Sequence, residues 1–310
     1  MKKHENACTY SSPKRSVVTI GTFDGVHIGH KKILDRLTTV ASEHDLNSII
    51  LTFFPHPRMV LQKDADIKLI NTMDERSQIL KETGLNHLVI HPFSLEFSQL
   101  SAKEYVQQML AKYLKAKRVI IGYDHRFGKG RTADLYDLKV YGDNFDFEVE
   151  EITKQEIEDV AVSSTKIRKA LLAGEIRKAN SYLGYNFMLT GKVTKGKQIG
   201  RTLGYPTANL NILETYKLIP KNGVYIVKSC IDNKTYYGMM NIGFNPTVGG
   251  TKQTIETFFF DVDLNLYDKK IQLHLLKRIR DEKKFDSVDD LKEAMSQDED
   301  YAREYLAEFI

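Results

Sequence analysis

The sequence predicts an α/β domain built on a parallel sheet, followed by a small antiparallel β barrel or sandwich and C-terminal helices. In the first half, short β-branched runs alternate with amphipathic stretches, as in a parallel sheet with helices on both faces. After about Tyr182, glycines and short alternating runs become dense, which indicates antiparallel strands. The length of 310 residues suits two domains, and we place them at 1–183 and 184–310.

The first half contains four predicted strands and three predicted helices. The strands are expected at 16–20, 49–53, 87–90 and 118–121, and the helices at 31–43, 74–83 and 101–114. Residues 72–75 and 101–104 fit the capping-box pattern, which marks a helix start. Ligands of parallel sheets bind beyond the carboxyl ends of the strands, so the segments that follow the strands are the first candidates for a site.

The second half contains five predicted strands, at 191–194, 223–229, 236–242, 255–262 and 271–275. Ser287 is a candidate N-cap for a helix that includes residues 291–295, and a further helical stretch covers 302–309.

Composition narrows the classes of partner. The net charge is +4, but the sequence shows no cluster of basic residues and no known nucleic-acid-binding motif. We therefore expect small-molecule substrates and no nucleic acid. Cys8 and Cys230 form no Cys-x-x-Cys pair, which predicts a reduced, cytoplasmic protein. Residues 1–15 lack a signal-peptide pattern, and no apolar run is long enough to cross a membrane. We expect a monomer or a weak homo-oligomer.

The segment after the first strand, residues 21–30, reads GTFDGVHIGH and opens the first helix. Gly21 and Gly25 permit tight turns, and the helix N-terminus suits a phosphate group. His27 and His30 lie one helical turn apart, so both imidazoles can face one ligand. The alternative is a glycine-rich strand–helix turn with incidental histidines.

Three later segments suit the same site. FFPHP at 53–57 offers an aromatic, histidine-bearing wall, GYDHRFGKGR at 122–131 a basic glycine-containing loop, and SSTKIR at 163–168 a helix start with hydroxyls and cations. Taken singly, they also fit a rigid proline turn, a solvated loop and a simple N-cap.

Together these four motifs resemble the FMN adenylyltransferase module of prokaryotic FAD synthetases, over residues 16–183. The H-x-G-H element is similar to that of the nucleotidyltransferase superfamily, so the resemblance implies a Rossmann-like α/β nucleotidyltransferase domain. The residues it implies are catalytic His27, His30 and Arg168; ATP-binding Gly21, Phe23, Asp24, Gly29, Asp124, Ser163, Ser164 and Thr165; and flavin-binding Pro55, His56, Pro57 and Arg126.

A second group of motifs lies in the second half. Residues 191–210 lack a Walker P-loop but contain PTAN at 206–209. Thr207 and Asn209 face the same side of an extended strand, and their oxygens suit Mg²⁺. Glu256, within a run of β-formers, is then a candidate general base. The alternative is a solvated strand face.

This order of motifs resembles the riboflavin kinase fold over residues 186–310, which implies a small antiparallel β barrel. The resemblance implies Thr207 and Asn209 on Mg²⁺ and ATP, and Glu256 activating the ribityl hydroxyl. It further implies ATP contacts from Gly196, Gly200 and Arg201, and flavin contacts from Arg278 and Phe285. Phe258 and Asp268 depart from the family pattern. The two modules together imply that the chain uses ATP to convert riboflavin to FMN and FMN to FAD.

Three alternatives remain open from the sequence. A relative of class I tRNA synthetases shares the H-x-G-H element but leaves the second domain unexplained. A flavin- or nucleotide-binding regulator would keep the fold without turnover. In a third case, only one of the two modules works in the cell.

Overall fold

The computed structural model describes residues 1–62, 66–153, 162–196, 204–247, 250–262 and 265–309. The chain divides into two compact units, Met1–Ser164 and Thr165–Ile310. The boundary expected between residues 183 and 184 stays a prediction.

The first unit is built on a six-stranded sheet in the order β1-β4-β3-β2-β5-β6. Every neighbouring pair of strands is parallel. Its strands are β1 Lys2–His4, β2 Ser16–Ile20, β3 Asn47–Phe54, β4 His87–Pro92, β5 Ala116–Gly122 and β6 Glu148–Ile152. The chain passes from β2 outward to β3 and β4, then returns to add β5 on the other side of β2. This reversal of strand order is where open α/β sheets bind their ligands.

Helices join these strands. They are α1 Ile28–Glu43, α2 Pro57–Leu61, α3 Met73–Lys81, α4 Ala102–Tyr105 with a π-helical continuation Val106–Tyr113, and α5 Leu135–Phe145. The capping boxes expected at Thr72 and Ser101 are confirmed. The sequence prediction missed α5 because its capping box is built by Asp134 and Asp137, outside the usual Ser/Thr and Glu/Gln pattern.

The second unit contains a closed barrel in the order β10-β11-β8-β7-β12-β9, so the barrel prediction is confirmed. Two short helices, α6 Ser164–Ala173 and α7 Ile176–Leu183, come before it in the chain. The strands are β7 Met188–Thr194, β8 Ala208–Asn211, β9 Gly223–Ile231, β10 Lys234–Thr247, β11 Gly250–Phe259 and β12 Lys270–Arg280. All the barrel pairings are antiparallel.

The C-terminal helical stretches form one continuous helix, α8 Val288–Phe309, where two had been expected. The hydroxyl of Ser287 accepts the N–H of Asp290 at 3.1 Å, as the predicted N-cap requires. Arg280 at the end of β12 binds the buried carboxylate of Asp298 on α8 at 2.7 Å. Ala302 packs into the cluster beneath the helix. The helix is therefore fixed to the barrel by both apolar and ionic contacts.

Candidate active sites

In the first unit, three of the four predicted motifs follow adjacent strands. The segment at 21–30 follows β2, FFPHP ends β3, and the loop at 122–131 leaves β5. Because these strands are parallel neighbours, their carboxyl ends meet at one edge of the sheet. The register brings together motifs that the sequence separates by as many as a hundred residues.

A buried ion pair holds the loop after β2. The side chains of Asp24 and Arg76 are each 1% exposed, with Nη2 of Arg76 3.2 Å from Oδ1 of Asp24. The same carboxylate accepts the backbone N–H groups of Ile70 and Asn71. Arg76 also donates to the carbonyl of Thr22 at 2.8 Å. Asp24 therefore supports the loop from beneath, and its predicted ATP contact stays a prediction.

The two histidines lie face to face at the start of α1. Their rings stack with centroids 3.7 Å apart and planes 14° from parallel. Nδ1 of His27 accepts the N–H of His30 at 3.2 Å and so caps the helix. This hydrogen bond leaves Nε2 of neutral His27 as the protonated nitrogen. Phe23 packs beside His30 with ring centroids 5.0 Å apart.

Both imidazoles are neutral at pH 7. Burial lowers the pKa of His27 to about 4, although the charge of Asp24 opposes the shift. Burial also lowers the pKa of His30 well below its usual range, and His27 and Arg76 lower it further. Among the residues that the structure describes, Nδ1 of His30 is buried without a hydrogen-bond partner. A buried polar atom of this kind is a candidate for ligand contact.

The glycines of this segment allow close packing around the ring pair. A Cβ at Gly21 would lie 3.1 Å from the Phe23 ring, and one at Gly29 would lie 3.2 Å from the His27 ring. A side chain at either position would require the neighbouring ring to shift by a few tenths of an ångström.

FFPHP forms part of an aromatic surface that the sequence prediction only partly found. His56 caps α2 by accepting the N–H of Arg58 at 3.1 Å, with Pro57 in the first turn and Pro55 exposed. Beside this segment, aromatic rings at the ends of β3 and β4 contact one another. The aromatic surface comprises the half-buried rings of Phe53, His91, Phe93 and Phe97. Phe97 also contacts the buried ring of Tyr105, which in turn contacts buried Phe127.

The loop after β5 is held by Gly128, whose φ is +73°. A Cβ there would lie 2.9 Å from the backbone of Ala102, so only glycine fits. Asp124 is exposed, whereas Arg126 forms an ion pair with Asp134 at 3.0 Å. His125 stacks near Phe127 with ring centroids 6.0 Å apart. The flavin contact implied for Arg126 stays a prediction.

The fourth motif meets the first through its helix start. Oγ of Ser164 donates to the carbonyl of Asp24 at 2.8 Å. Ser163 precedes α6, and Thr165 and Arg168 lie along its first turns. Because Thr165 and Arg168 fall in the second compact unit, their contacts with ATP stay predictions.

In the barrel, strand register aligns the predicted kinase residues. Glu256 on β11 lies opposite Asn209 on β8 and opposite Asn241 on β10, so these side chains share one face. Oγ1 of Thr207 donates to Oε2 of Glu256 at 3.3 Å. A Cβ at Gly196 would lie 2.3 Å from Nδ2 of Asn209, so glycine lets the chain pass over this amide. Gly200 and Arg201 lie outside the described residues.

The two residues predicted to contact the flavin in the barrel, Arg278 and Phe285, have partners within the protein. Arg278 donates to the carbonyl of Asn222 and to the carboxylate of Asp281, each at 2.6 Å. Hydrogen bonds from Lys221 and Arg278 lower the pKa of Asp281 to about 2. The ring of Phe285 lies 5.7 Å from the guanidinium of Arg280.

Phe258, one of the departures from the family pattern, packs edge-on against Tyr205 with ring centroids 5.0 Å apart. This contact supports the chain directly before Pro206 and Thr207.

Sequence reasoning missed Arg76, Asn241 and part of the aromatic surface. Asn241 had no predicted role, and its register with Glu256 is what singles it out. The aromatic residues at 93 and 97 follow a predicted strand, a signal that could have been used. Arg76 carries no such signal.

The donor set in the barrel fits a hard cation bound chiefly by its substrate. Thr207 and Asn209 offer neutral oxygens beside one carboxylate, which suits Mg²⁺ that keeps waters and phosphates as ligands. Within the described ranges, no group of three or more His, Cys, Asp or Glu residues could hold a metal ion.

Comparison with known proteins identifies two family domains. Residues 9–166 match the FAD synthetase family, and residues 183–306 match the riboflavin kinase family. Over its described residues, the chain contains no helix long and apolar enough to cross a membrane.

The same two-domain organisation extends to whole proteins. Three similar proteins are named bifunctional riboflavin kinase/FMN adenylyltransferase. The one from Buchnera aphidicola (subsp. Schizaphis graminum) is 37% identical over 94% of both chains. The one from Escherichia coli K12 is 35% identical, covering 94% of this chain and 92% of its own. The one from Bacillus subtilis 168 is 33% identical, covering 94% and 93%.

A crystal structure from Streptococcus pneumoniae, described as a macrolide-efflux protein, superposes with a TM-score of 0.87. It is 34% identical and covers 97% of this chain and 98% of its own. The family matches account for the second domain, which the tRNA-synthetase alternative left unexplained. The chain therefore belongs to the bifunctional riboflavin kinase/FMN adenylyltransferases, which phosphorylate riboflavin to FMN with ATP and then transfer AMP to FMN, giving FAD.

Proposed function

We propose that the paired imidazoles of His27 and His30 catalyse adenylyl transfer. The FMN phosphate attacks the α-phosphorus of ATP, and pyrophosphate leaves. This displacement needs no protein nucleophile, so positioning and charge stabilisation account for most of the acceleration. The stacked, neutral rings supply N–H donors to the charge that develops on the α-phosphate.

The rest of the first site binds the two substrates. The loop at 21–25, the N-terminus of α1 and the helix start at Ser163–Ser164 hold the triphosphate, with Thr165, Arg168 and Asp124 as further ligands. The flavin lies against the aromatic surface beside Pro55, His56 and Pro57, near Arg126. The Ser164–Asp24 contact supports this arrangement, since it joins two of the triphosphate-binding segments.

In the barrel, Glu256 is the general base for the 5′-hydroxyl of riboflavin. The strongest support is the register that places Glu256 opposite Asn209 and within hydrogen-bond reach of Thr207. The Thr207 hydroxyl donates a hydrogen bond to Glu256, and the lone pairs of its oxygen remain available to a cation. Thr207 and Asn209 would hold Mg²⁺, which supplies charge neutralisation for the transferred phosphoryl group.

Gly196, Gly200 and Arg201 would contact ATP, and Arg278 and Phe285 the flavin. Glu256 takes up the hydroxyl proton as the oxygen attacks the γ-phosphorus, and ADP leaves. We also propose a cytoplasmic location, small-molecule substrates without nucleic acid, and a monomeric or weakly associating chain. Two exposed free thiols, Cys8 and Cys230, support a reducing compartment.

Two substitutions test the assignment of the two chemistries. Purified protein is incubated with ATP and Mg²⁺ and with either riboflavin or FMN, and the flavins are separated over time. Glu256→Gln should stop FMN formation and spare FAD formation from supplied FMN. His30→Ala should do the reverse. Riboflavin phosphorylation unchanged in Glu256→Gln, or near-normal FAD synthesis in His30→Ala, would contradict the corresponding role.

A further inference from the structure

We infer that Glu282 is a positioning residue for riboflavin phosphorylation. Glu282 follows β12, where an exposed charge would ordinarily be solvated. Its carboxylate instead receives two hydrogen bonds from other parts of the barrel. Oε1 accepts the backbone N–H of Phe244 on β10 at 2.9 Å, and Oε2 accepts Nδ2 of Asn222 at 3.0 Å.

Asn222 extends this connection to the strand that carries the general base. Its Oδ1 accepts Nε2 of Gln253 on β11 at 2.8 Å, and Gln253 pairs with Phe244 in the β10–β11 ladder. Glu282 and Asn222 therefore fasten both strands of this hairpin. Glu256 lies three residues beyond Gln253 on the same strand.

The carboxylate of Glu282 also lies on the face that carries Glu256. Asn241 is opposite Glu256, and Gly243 follows two residues later on the same side of β10. A Cβ at Gly243 would lie 2.2 Å from Oε1 of Glu282 and 3.0 Å from Nδ2 of Asn241. Gly243 thus leaves the space in which Glu282 reaches the hairpin beside Asn241.

This geometry gives Glu282 an indirect role. Its hydrogen bonds to Phe244 and Asn222 fix the strand pair whose register places Glu256 beside Asn209 and Asn241. Loss of the contact should change the geometry of the transfer step more than the binding of substrate. The expected change is in kcat, with little effect on KM.

Glu282→Ala should lower kcat for riboflavin phosphorylation about tenfold, the equivalent of one charge-assisted hydrogen bond. KM for ATP and FMN adenylylation by the same chain should stay within about twofold of native. Glu293→Ala is the matched control, because Glu293 is an exposed carboxylate whose contact is Gln297 on its own helix. Thermal unfolding of each variant checks that the barrel remains folded.

Moving the carboxylate from position 282 to position 222 distinguishes a positioning role for Glu282 from a merely structural one. Asn222→Asp sets two carboxylates against each other and should lower kcat at least as far as Glu282→Ala. Adding Glu282→Gln should restore kcat to within about threefold of native, since the introduced amide can accept from Phe244 and donate to the introduced carboxylate. Glu282→Gln alone should lose less than Glu282→Ala, because the amides of Asn222 and Gln253 can rotate. If Glu282→Ala matches Glu293→Ala, or if the double variant does no better than Asn222→Asp, the positioning role is wrong.

Discussion

Arg76 offers a sharp test of how the adenylyltransfer loop is held. Arg76→Met keeps most of the side-chain volume and removes the guanidinium that lies 3.2 Å from the buried carboxylate of Asp24. Both side chains are 1% exposed, so water replaces little of the lost interaction. Breaking a buried pair on one side costs about 3–5 kcal/mol. We expect that loss in the first unit, together with loss of FAD formation from FMN.

The matched control is Arg36→Met, which breaks an arginine–carboxylate contact on the surface of the same unit. Arg36 and Glu150 are 2.6 Å apart, but their side chains are 47% and 27% exposed. A pair of this kind contributes about 0–1 kcal/mol. The difference between the two variants therefore reports chiefly on burial, because the same Arg→Met change removes a guanidinium–carboxylate contact in both.

Hydrogen exchange at the backbone amides of β2 and β5 gives the opening free energy of the first unit alone. This readout is needed because two compact units do not have to unfold together. Riboflavin phosphorylation by the barrel should persist in Arg76→Met. Adding Asp24→Asn should recover part of the stability, since it removes the buried negative charge that faced the guanidinium. A loss in Arg76→Met no larger than that in Arg36→Met would refute the reasoning.

Two further outcomes are expected. His27→Asn keeps a helix-capping acceptor for the N–H of His30 but removes a group whose pKa falls to about 4 in the folded protein. Native stability should be full above about pH 6.5 and fall by about 3 kcal/mol toward pH 4 through His27 alone. The free energy of unfolding should vary less with pH across that window in His27→Asn than in the native protein, and an equal dependence on pH would contradict the lowered pKa of His27. Phe258→Ala removes edge contacts to Tyr205 and Phe260, at centroid distances of 5.0 and 5.9 Å. The substitution should lower the free energy of unfolding by about 2 kcal/mol, and Phe258→Leu should recover most of that stability. It should raise KM for ATP in riboflavin phosphorylation and leave FMN adenylylation unchanged. An unchanged KM for ATP would contradict a role of Phe258 in supporting Thr207.

Local chemistry made much of this protein predictable. The capping boxes at Thr72 and Ser101 depend on residues three apart, and both form as expected. The alternation of strands and helices also predicted the parallel sheet, so the motif after β2 was placed correctly at a helix start. The change to dense alternating runs predicted the barrel. Each of these signals lies within a short stretch of sequence.

Contacts between residues that are far apart in the sequence could not be predicted from such local signals. Arg76 meets Asp24 across 52 positions, and nothing near either residue marks the pair. The ATP contact implied for Asp24 stays a prediction, but no local signal indicated that its carboxylate accepts the backbone N–H groups of Ile70 and Asn71. Asn241 and Glu282 were likewise hidden, since barrel register and one glycine-sized gap give them their neighbours.

The protonation of the histidine pair favours one kind of catalysis over another. The two imidazoles are buried, stack with ring centroids 3.7 Å apart and lie near buried Arg76, so protonation of either ring is unfavourable. The pKa values of His27 and His30 are lowered for this reason. Neutral rings still donate hydrogen bonds through N–H. They require no proton uptake before the reaction, and a triphosphate placed beside them would move their pKa values upward. Hydrogen bonds from the N–H groups of this pair would become stronger as negative charge develops on the α-phosphate, which is where adenylyl transfer needs stabilisation.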